Sequence, residues 1–226
     1  MSKATKDAAI SQADAIADAA NGTARDRLLY AAMVSFAAKG FYGTSTRDIA
    51  LAANLSPAAV YVHYETKEEL LYHISKIGHL ETLSIVRAAY DSTTDPVKRL
   101  RAVVHDFTLA QAKRHMRARI VNYELAALNA PHRTEVTAIR RQIEACFKEA
   151  VEAGVDSGDF APADSSLTAH ALISLGIDVA RWYHDTGHWT AEQIAESYAT
   201  QALGLVGARR GGPRRPAKPR AARSAR

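Results

Sequence analysis

The segment from Ser56 to Val62 carries side chains suited to contact with the edges of DNA bases. If the segment is helical, its outward residues are Ser56, Pro57, Ala58, Ala59, Tyr61 and Val62. Most of these side chains are small, and those of Ser56 and Tyr61 bear a hydroxyl group. Small side chains let a backbone approach closely and can pack against the methyl group of thymine, while a hydroxyl can donate or accept a hydrogen bond. The segment is therefore a candidate for insertion into the major groove of double-stranded DNA.

Three helix starts, each with a hydroxyl residue in the capping position, surround this segment. Ser45 precedes Asp48 by three residues and Thr66 precedes Glu69 by three, which is the spacing of a capping box. Ser56 can cap the helix between them, because the proline that follows it needs no hydrogen-bond partner at the first helical position. These signals predict three consecutive helices, the middle one short.

An apolar stretch at helical spacing, from Arg25 to Lys39, comes before them and ends at Gly40, a residue type that terminates helices. The second and third predicted helices are joined by a short turn containing Asn54, which tolerates the positive φ that such a turn requires. The small Ala50 lies where the two helices would cross. Two short helices that pack steeply around a tight turn form a helix-turn-helix.

Residues 25–71 resemble the TetR family of bacterial transcriptional regulators. The resemblance lies in the order and spacing of Arg25-Asp26-Arg27-Leu28-Leu29, Ala31-Ala32, Phe36, Gly40, Thr44-Ser45, Asp48-Ile49-Ala50, Ser56, Tyr61, Tyr64 and Lys67-Glu68-Glu69-Leu70. It implies a repressor that binds double-stranded operator DNA, forms a homodimer through its last two long helices, and is released from the operator by a small-molecule effector.

The resemblance also assigns DNA contacts residue by residue. Phosphate or backbone contacts are implied for Thr44, Ser45, Arg47, Tyr61, His63 and Lys67. Contacts with bases, or close approach to them, are implied for the start of the third helix, which comprises Ser56, Pro57, Ala58 and Ala59. Asn54, where relatives mostly carry Gly, and Pro57, where many carry a polar residue, depart from the family pattern, so the details of base readout are expected to differ.

The charge of this predicted head is balanced. Residues 25–72 contain five Lys or Arg and five Asp or Glu, whereas nucleic-acid-binding domains are commonly basic. An alternative is therefore a helical ligand-binding or scaffold protein without specific DNA binding. We favour DNA binding because acids such as Asp26, Asp48, Glu68 and Glu69 are placed to cap helices or to face away.

The remainder of the chain is expected to form five further helices. Their predicted extents are Pro96 to about Arg114, His115 to Leu128, Pro131 to about Gly154, Asp164 to His184, and a last helix from Thr190. The fold class is therefore all-α, with about nine helices, a three-helix DNA-binding domain and a larger ligand-binding and dimerisation domain. The predicted boundaries are a flexible arm (1–23), the helix-turn-helix domain (24–72), the body (73–207) and a disordered basic tail (208–226).

Three short segments of the body resemble a TetR subgroup that responds to acyl-CoA thioesters in lipid and sterol breakdown: 154–160, 181–183 and 187–193. The effector is therefore expected to be an acyl-CoA or another lipid-derived compound. By position in the family, the candidate ligand-binding residues are the aromatics Phe107, Tyr123, Phe147 and Trp182, with Arg119 and Arg181 as partners for an acidic group. Core packing for the aromatics and surface ion pairs for the arginines are the alternatives.

Catalysis and secretion are not expected. The nine histidines form none of the common zinc or hydrolase motifs, so no catalytic residue, metal or cofactor is predicted. The single cysteine, Cys146, excludes an intramolecular disulfide and is expected to be a buried thiol. No apolar run is long enough for a membrane span, which indicates a cytoplasmic protein. Residues 209–226 hold eight Lys or Arg and no acid, so the rest of the chain has a net charge of −3.

Overall fold

The computed structural model describes residues 22–208, and within this range the chain forms nine α-helices and one 3₁₀ turn, with no strand. The helices are α1 (Ala24–Lys39), α2 (Thr46–Ala52), α3 (Pro57–His63), α4 (Lys67–Asp91), α5 (Pro96–Lys113), α6 (His115–Tyr123), α7 (Ala130–Asp156), α8 (Ser165–Trp182) and α9 (Ala191–Leu205). The all-α prediction is confirmed. Most of the predicted arm and basic tail lies outside the described residues, and Thr23 at the end of that arm caps α1.

The helix-turn-helix forms as its local sequence dictates. The Ser45 side chain and that of Asp48 make a reciprocal capping box at the start of α2. Asn54 adopts a positive φ of 54° in the turn, and Gly40 does so at 71° after α1. Ser56 caps α3 by accepting a hydrogen bond from the backbone N–H of Ala59. Each of these contacts spans at most three residues, which is why the sequence pattern predicts them.

The core of the head continues into the body. Phe36, Ile49 and Val60 are buried at its centre, and the same apolar cluster includes Ile120 and Val121 of α6. The long helix α4 also belongs to both parts, because its first turns pack in the head and its later turns pack against α5 and α7. The head is therefore attached to the body through α4 and α6 together.

A second apolar core holds the body together. The rings of Phe107 on α5 and Phe147 on α7 meet edge to face, with their centroids 5.1 Å apart. Cys146 is fully buried beside them, as predicted, and burial raises the pKa of its thiol. Helix α5 lies against α9 on one side and against α4, α7 and α8 on the others. This arrangement leaves α8 and α9 at the outside of the body.

Two predicted helix features are wrong in detail. The helix that starts at His115 ends at Tyr123 rather than at Leu128, because the chain tightens into a 3₁₀ turn over Leu125–Ala127. The Thr66 side chain caps α4 as predicted, but Glu69 does not complete a capping box. Its carboxylate instead accepts a hydrogen bond from the backbone N–H of Glu65, one residue earlier than the cap, at 2.8 Å.

Candidate DNA-binding surface and ligand cavity

Helix α3 presents an exposed face on the outside of the head. Val60 is fully buried and anchors the helix, whereas Tyr61 and Val62 are 57% and 78% exposed. The predicted base-contacting positions at the start of α3 are also accessible: Ser56, Pro57 and Ala58 are exposed and Ala59 is partly exposed. The Tyr61 hydroxyl lies 3.2 Å from that of Thr46, so it joins α3 to the first turn of α2. One continuous surface therefore contains the exposed face of α3 and the start of α2.

The start of α2 can receive an anion. The exposed Ser45 and Arg47 lie at its first turn, where backbone N–H groups and the helix dipole favour negative charge. Within residues 22–208, Arg47 takes part in no ion pair with a carboxylate, so its guanidinium is available to a phosphate. His63, at the last turn of α3, is partly exposed on the same part of the head.

Thr44 and Lys67 have structural partners that the sequence does not reveal. Thr44 is only 2% exposed and its hydroxyl hydrogen bonds to the backbone oxygen of Gly40 at 2.8 Å. The Thr44 hydroxyl therefore has a structural role here, and a phosphate contact from this side chain stays a prediction. The Lys67 ammonium donates to the backbone oxygens of Phe41 and Thr44, both at 2.7 Å, and lies 4.2 Å from the centroid of the Phe41 ring. Lys67 thus fixes the turn before α2 and keeps one N–H for a further acceptor.

Acidic residues of the head form hydrogen bonds within the protein. Hydrogen bonds from the backbone and hydroxyl of Ser45 lower the pKa of the Asp48 carboxyl, which therefore stays charged as a helix cap. The carboxylate of Glu68 points to α7, where it accepts hydrogen bonds from the backbone and side-chain amides of Asn129 at 2.8 and 3.1 Å. These contacts explain how a head of balanced charge can still offer an anion-binding surface.

The body contains a cavity of about 90 Å³ that is partly open to solvent. Its wall is formed by α4, α5, α6, α7 and α8. The apolar part of the wall consists of Gly78, Phe107, Ala110, Ala118, Val121, Ile143, Ile173 and Ile177. The polar part consists of His79, Glu81, Thr82, Gln111, Arg114, Arg117, Asn122, Arg140, Glu144 and His170. The mixed apolar and polar lining is suited to an amphipathic molecule.

A connected polar group lies within this wall. His79 is 3% exposed, and its Nδ1 lies 2.8 Å from the backbone oxygen of Ser75. Its Nε2 lies 3.3 Å from Nη1 of Arg140. That Nη1 atom of Arg140 also lies 3.5 Å from the side-chain oxygen of Asn122. Burial, with the nearby Arg140 charge, lowers the pKa of His79 to about 4, so the imidazole is neutral near pH 7. Asn122 in turn donates to Gln111 at 3.0 Å.

Of the six ligand-binding residues predicted from the sequence, only Phe107 lines the cavity. Phe147 is fully buried behind the Phe107 ring. The other four lie away from the wall: Arg119 donates to the backbone oxygen of Ala180, while Tyr123, Arg181 and Trp182 are exposed. The five residues other than Phe107 do not line this cavity, because position on a helix does not determine which face of that helix meets it, and a role for them in ligand binding stays a prediction.

Arg140 and His79 were missed, although the sequence contains a signal for both. Arg140 falls on the apolar stripe of α7 formed by Val136, Ile143 and Phe147, which are all buried. A charged residue at helical spacing within a buried stripe must meet either a partner or a cavity. The same reasoning applies to His79 in α4.

Helices α8 and α9 expose a mixed apolar and small-residue face. On α8, the exposed positions follow one stripe that includes Leu167, Ala171, Leu175 and Trp182. On α9, they include Ser197, Gln201, Gly204 and Leu205. Other apolar residues of α8, such as Leu172 and Val179, are buried in the monomer.

None of the helices within residues 22–208 combines the length and apolar character needed to cross a bilayer. In the same range, no three His, Cys, Asp or Glu side chains come together in a way that could hold a metal ion.

Two protein-family models match the chain. The model described as "Bacterial regulatory proteins, tetR family" matches residues 28–74, which include the helix-turn-helix. The model described as "Tetracyclin repressor-like, C-terminal domain" matches residues 93–206, which is half of the chain and includes α5 to α9.

Individual relatives agree with these matches. The HTH-type transcriptional repressor KstR2 of Mycobacterium tuberculosis is 28% identical over 187 residues, covering 80% of this chain and 92% of the relative. A tetR-family regulatory protein from Rhodococcus RHA1 is 39% identical with a TM-score of 0.79, covering 84% of this chain and all of that one. The crystal structure of AibR in complex with isovaleryl coenzyme A and operator DNA is 25% identical with a TM-score of 0.74, covering 82% and 99% of the two chains. The protein therefore belongs to the TetR family of bacterial regulatory proteins, and it is a DNA-binding transcriptional regulator.

Proposed function

We propose that this chain is a dimeric repressor that binds a palindromic operator through α3 and leaves it when a lipid-derived small molecule occupies the cavity of the body. The observation that carries the proposal is the shared use of α4 and α6, which wall the cavity and also pack in the head. The complex of AibR with both isovaleryl coenzyme A and operator DNA, and the repressor role in the name of KstR2, support it.

The operator contacts follow from the exposed surface. Small residues at the start of α3 enter the major groove, and the side chains that hold the phosphates surround them: Ser45, Arg47, Tyr61, His63 and Lys67. Phosphate contacts position the head, whereas base-edge contacts provide the sequence preference. Since Pro57, Ala58 and Ala59 offer no side-chain hydrogen bonds, much of the preference comes from apolar contacts with thymine methyl groups.

A dimer is required because one short recognition helix reads few base pairs. Two heads related by a two-fold axis reach successive major grooves about 34 Å apart. The exposed face of α8 and α9 supplies the interface, since Leu175 and Leu205 are 47% and 48% exposed and their small neighbours permit close helix packing. We place the DNA-binding domain at residues 24–72 and the ligand-binding and dimerisation body at 73–207, with α4 crossing the boundary.

The effector class is inferred from the cavity. Its apolar wall suits an acyl chain or a sterol-derived skeleton, and its polar wall suits an acidic or carbonyl group. An acyl-CoA is the first candidate. We infer that the protein acts in the cytoplasm by binding alone, without catalysis, as a regulator of operator DNA must.

The first experiment measures binding of the purified protein to DNA flanking its own gene, at moderate salt and with excess nonspecific competitor. Wild type is compared with Tyr61→Ala, which removes an exposed ring from α3, and with Tyr123→Ala, a matched substitution of an exposed tyrosine on α6. We expect competitor-resistant retention of wild type and Tyr123→Ala, and its loss in Tyr61→Ala.

Addition of a saturating effector to the retained complex tests the regulatory part. Because ligand and DNA affinities are linked, an effector that weakens operator binding must itself bind less tightly to the operator-bound protein. If the protein binds an acyl-CoA but its retention on the specific DNA does not change, induction by acyl-CoA compounds is contradicted. Absence of specific retention, both at flanking DNA and in a selection from random genomic fragments, would favour the alternative of a ligand-binding protein without a DNA role.

A further inference from the structure

The cavity wall contains an arginine that forms no direct ion pair among the described residues. Arg140 on α7 is partly buried, and none of the carboxylates within residues 22–208 lies within 4.0 Å of its guanidinium. Glu144, four residues later on the same wall, interacts with Arg140 electrostatically over a longer distance, lies 3.3 Å from His170 and is half exposed. A partly buried charge is unfavourable unless it is paired, and here a direct pairing group is missing among the described residues.

The neighbours of Arg140 orient the guanidinium without neutralising it. Because the backbone oxygen of Ser75 can only accept, Nδ1 of His79 must carry the proton, which leaves Nε2 as an acceptor facing Arg140 at 3.3 Å. Asn122 offers its side-chain oxygen at 3.5 Å to the same guanidinium nitrogen. Both partners are neutral, and they engage one of the three guanidinium nitrogens. Within residues 22–208 the other guanidinium N–H groups form no hydrogen bond, so they can bind an anion.

Apolar residues surround this cation. Phe107, Val121, Ile143 and Ile177 belong to the same cavity wall as Arg140, and Phe107 is 2% exposed. A ligand that satisfies this wall has an apolar body and one anionic group. The cavity also borders an ion pair of Glu81 with Arg117, and Arg114 lies 3.8 Å from the same carboxylate, so these two arginines already have an acidic partner.

We propose that Arg140 is the anchor for the anionic group of an amphipathic ligand, a site that rests on the proposed effector-binding function of the cavity. The chemistry is that of negatively charged oxygen atoms on an aliphatic body. It can be supplied by the carboxylate of a free fatty acid or by the phosphates of an acyl-CoA. Loss of a charge-assisted hydrogen bond at a partly buried site weakens binding by a factor of about 10 to 100.

The test measures ligand binding by calorimetry in the absence of DNA, so that it is independent of operator recognition. The probes are dodecanoate, dodecanoyl-CoA and the uncharged dodecanol. Arg140→Met removes the charge at similar volume, Arg140→Lys keeps the charge without the planar fork, and Arg141→Met is the matched control at an exposed position on the same helix.

We expect wild type and Arg141→Met to bind at least one anionic probe at least about tenfold more tightly than dodecanol. In Arg140→Met this preference disappears while dodecanol binding is retained, and Arg140→Lys is intermediate. Dependence of dodecanoate binding on Arg140 identifies the carboxylate as the anchor group, and dependence of dodecanoyl-CoA binding alone identifies the phosphates.

A preference for the anionic probes that persists in Arg140→Met would overturn the proposal, as would failure of wild type to bind either anionic probe. Folding is checked by the thermal unfolding midpoint of each variant. Arg140→Met removes a partly buried charge but also leaves Nε2 of His79 without its donor, so a modest decrease of this midpoint is expected in a variant that still folds. If Arg140→Met does not fold, the comparison of Arg140→Lys with wild type decides the same question.

Discussion

The buried imidazole of His79 makes the stability of the protein depend on pH. Its pKa falls to about 4 in the folded chain from an ordinary value of 6.5, chiefly because burial disfavours the charged form. Between these two values the unfolded chain binds a proton that the folded chain does not. The free energy of unfolding therefore decreases as the pH falls from 6.5 towards 4, and this contribution is fully retained above pH 6.5.

The size of the effect follows from the pKa difference. One pKa unit corresponds to about 1.4 kcal/mol, so the full difference amounts to about 3 kcal/mol. Most of it, about 2 kcal/mol per protomer, is already lost between about pH 8 and about pH 5. His79 is 3% exposed, so solvent screening reduces this figure little. His79→Gln removes the titrating group and keeps a polar side chain at the site.

Urea unfolding at fixed protein concentration, at about pH 8 and about pH 5, measures this contribution. The wild-type free energy of unfolding should fall by about 2 kcal/mol more than that of His79→Gln over the same interval. His170→Gln, at the exposed edge of the cavity, is the control for the substitution itself. Equal pH dependence of wild type and His79→Gln would refute the assignment of His79 as a buried neutral imidazole.

Two further substitutions test the head and the dimer. Arg47→Ala should lower operator affinity and make the plot of log K against log salt concentration less steep. Each lost phosphate contact lowers the magnitude of this slope by about 0.9, so the two contacts of a dimer lower it by about 2. An unchanged slope would contradict a phosphate contact by Arg47. Leu175→Asp places a charge in the apolar face of α8, so this variant should sediment as a monomer in sedimentation velocity. The control Leu51→Asp, on the exposed surface of α2, should remain dimeric. A dimeric Leu175→Asp would place the interface elsewhere.

The head could be predicted closely because its determinants are local. The capping box of Ser45 and Asp48, the positive φ of Asn54 and the cap at Ser56 each depend on residues no more than three apart. The burial of Thr44 could not be predicted in the same way, because the hydrogen bond from its hydroxyl to the backbone oxygen of Ser35 spans nine residues and depends on how α1 ends.

The cavity could not be predicted to the same degree because its wall draws on five helices. Phe107 and Phe147 cannot be told apart from the sequence pattern, because both are phenylalanines on apolar helical stripes. Of these two, only Phe107 lines the cavity. Arg119 and Arg140 are both arginines on helices that line it, but the guanidinium of Arg119 turns to the backbone of α8. Which arginine faces the cavity depends on the packing of helices far apart in sequence.

The same packing connects the cavity to the DNA-binding surface through α4 and α6. Seven residues before His79 on α4, about 10 Å along the helix, the Tyr72 ring stacks on His132 of α7 at 3.8 Å between centroids. Two residues after Asn122, at the end of α6, the Glu124 carboxylate accepts a hydrogen bond from the backbone N–H of Phe41 in the head. We propose that a ligand which moves α4 or α6 disturbs one of these contacts. Because packed interfaces tend to change between discrete arrangements, the head would then take a second position in which α3 fits the operator less well.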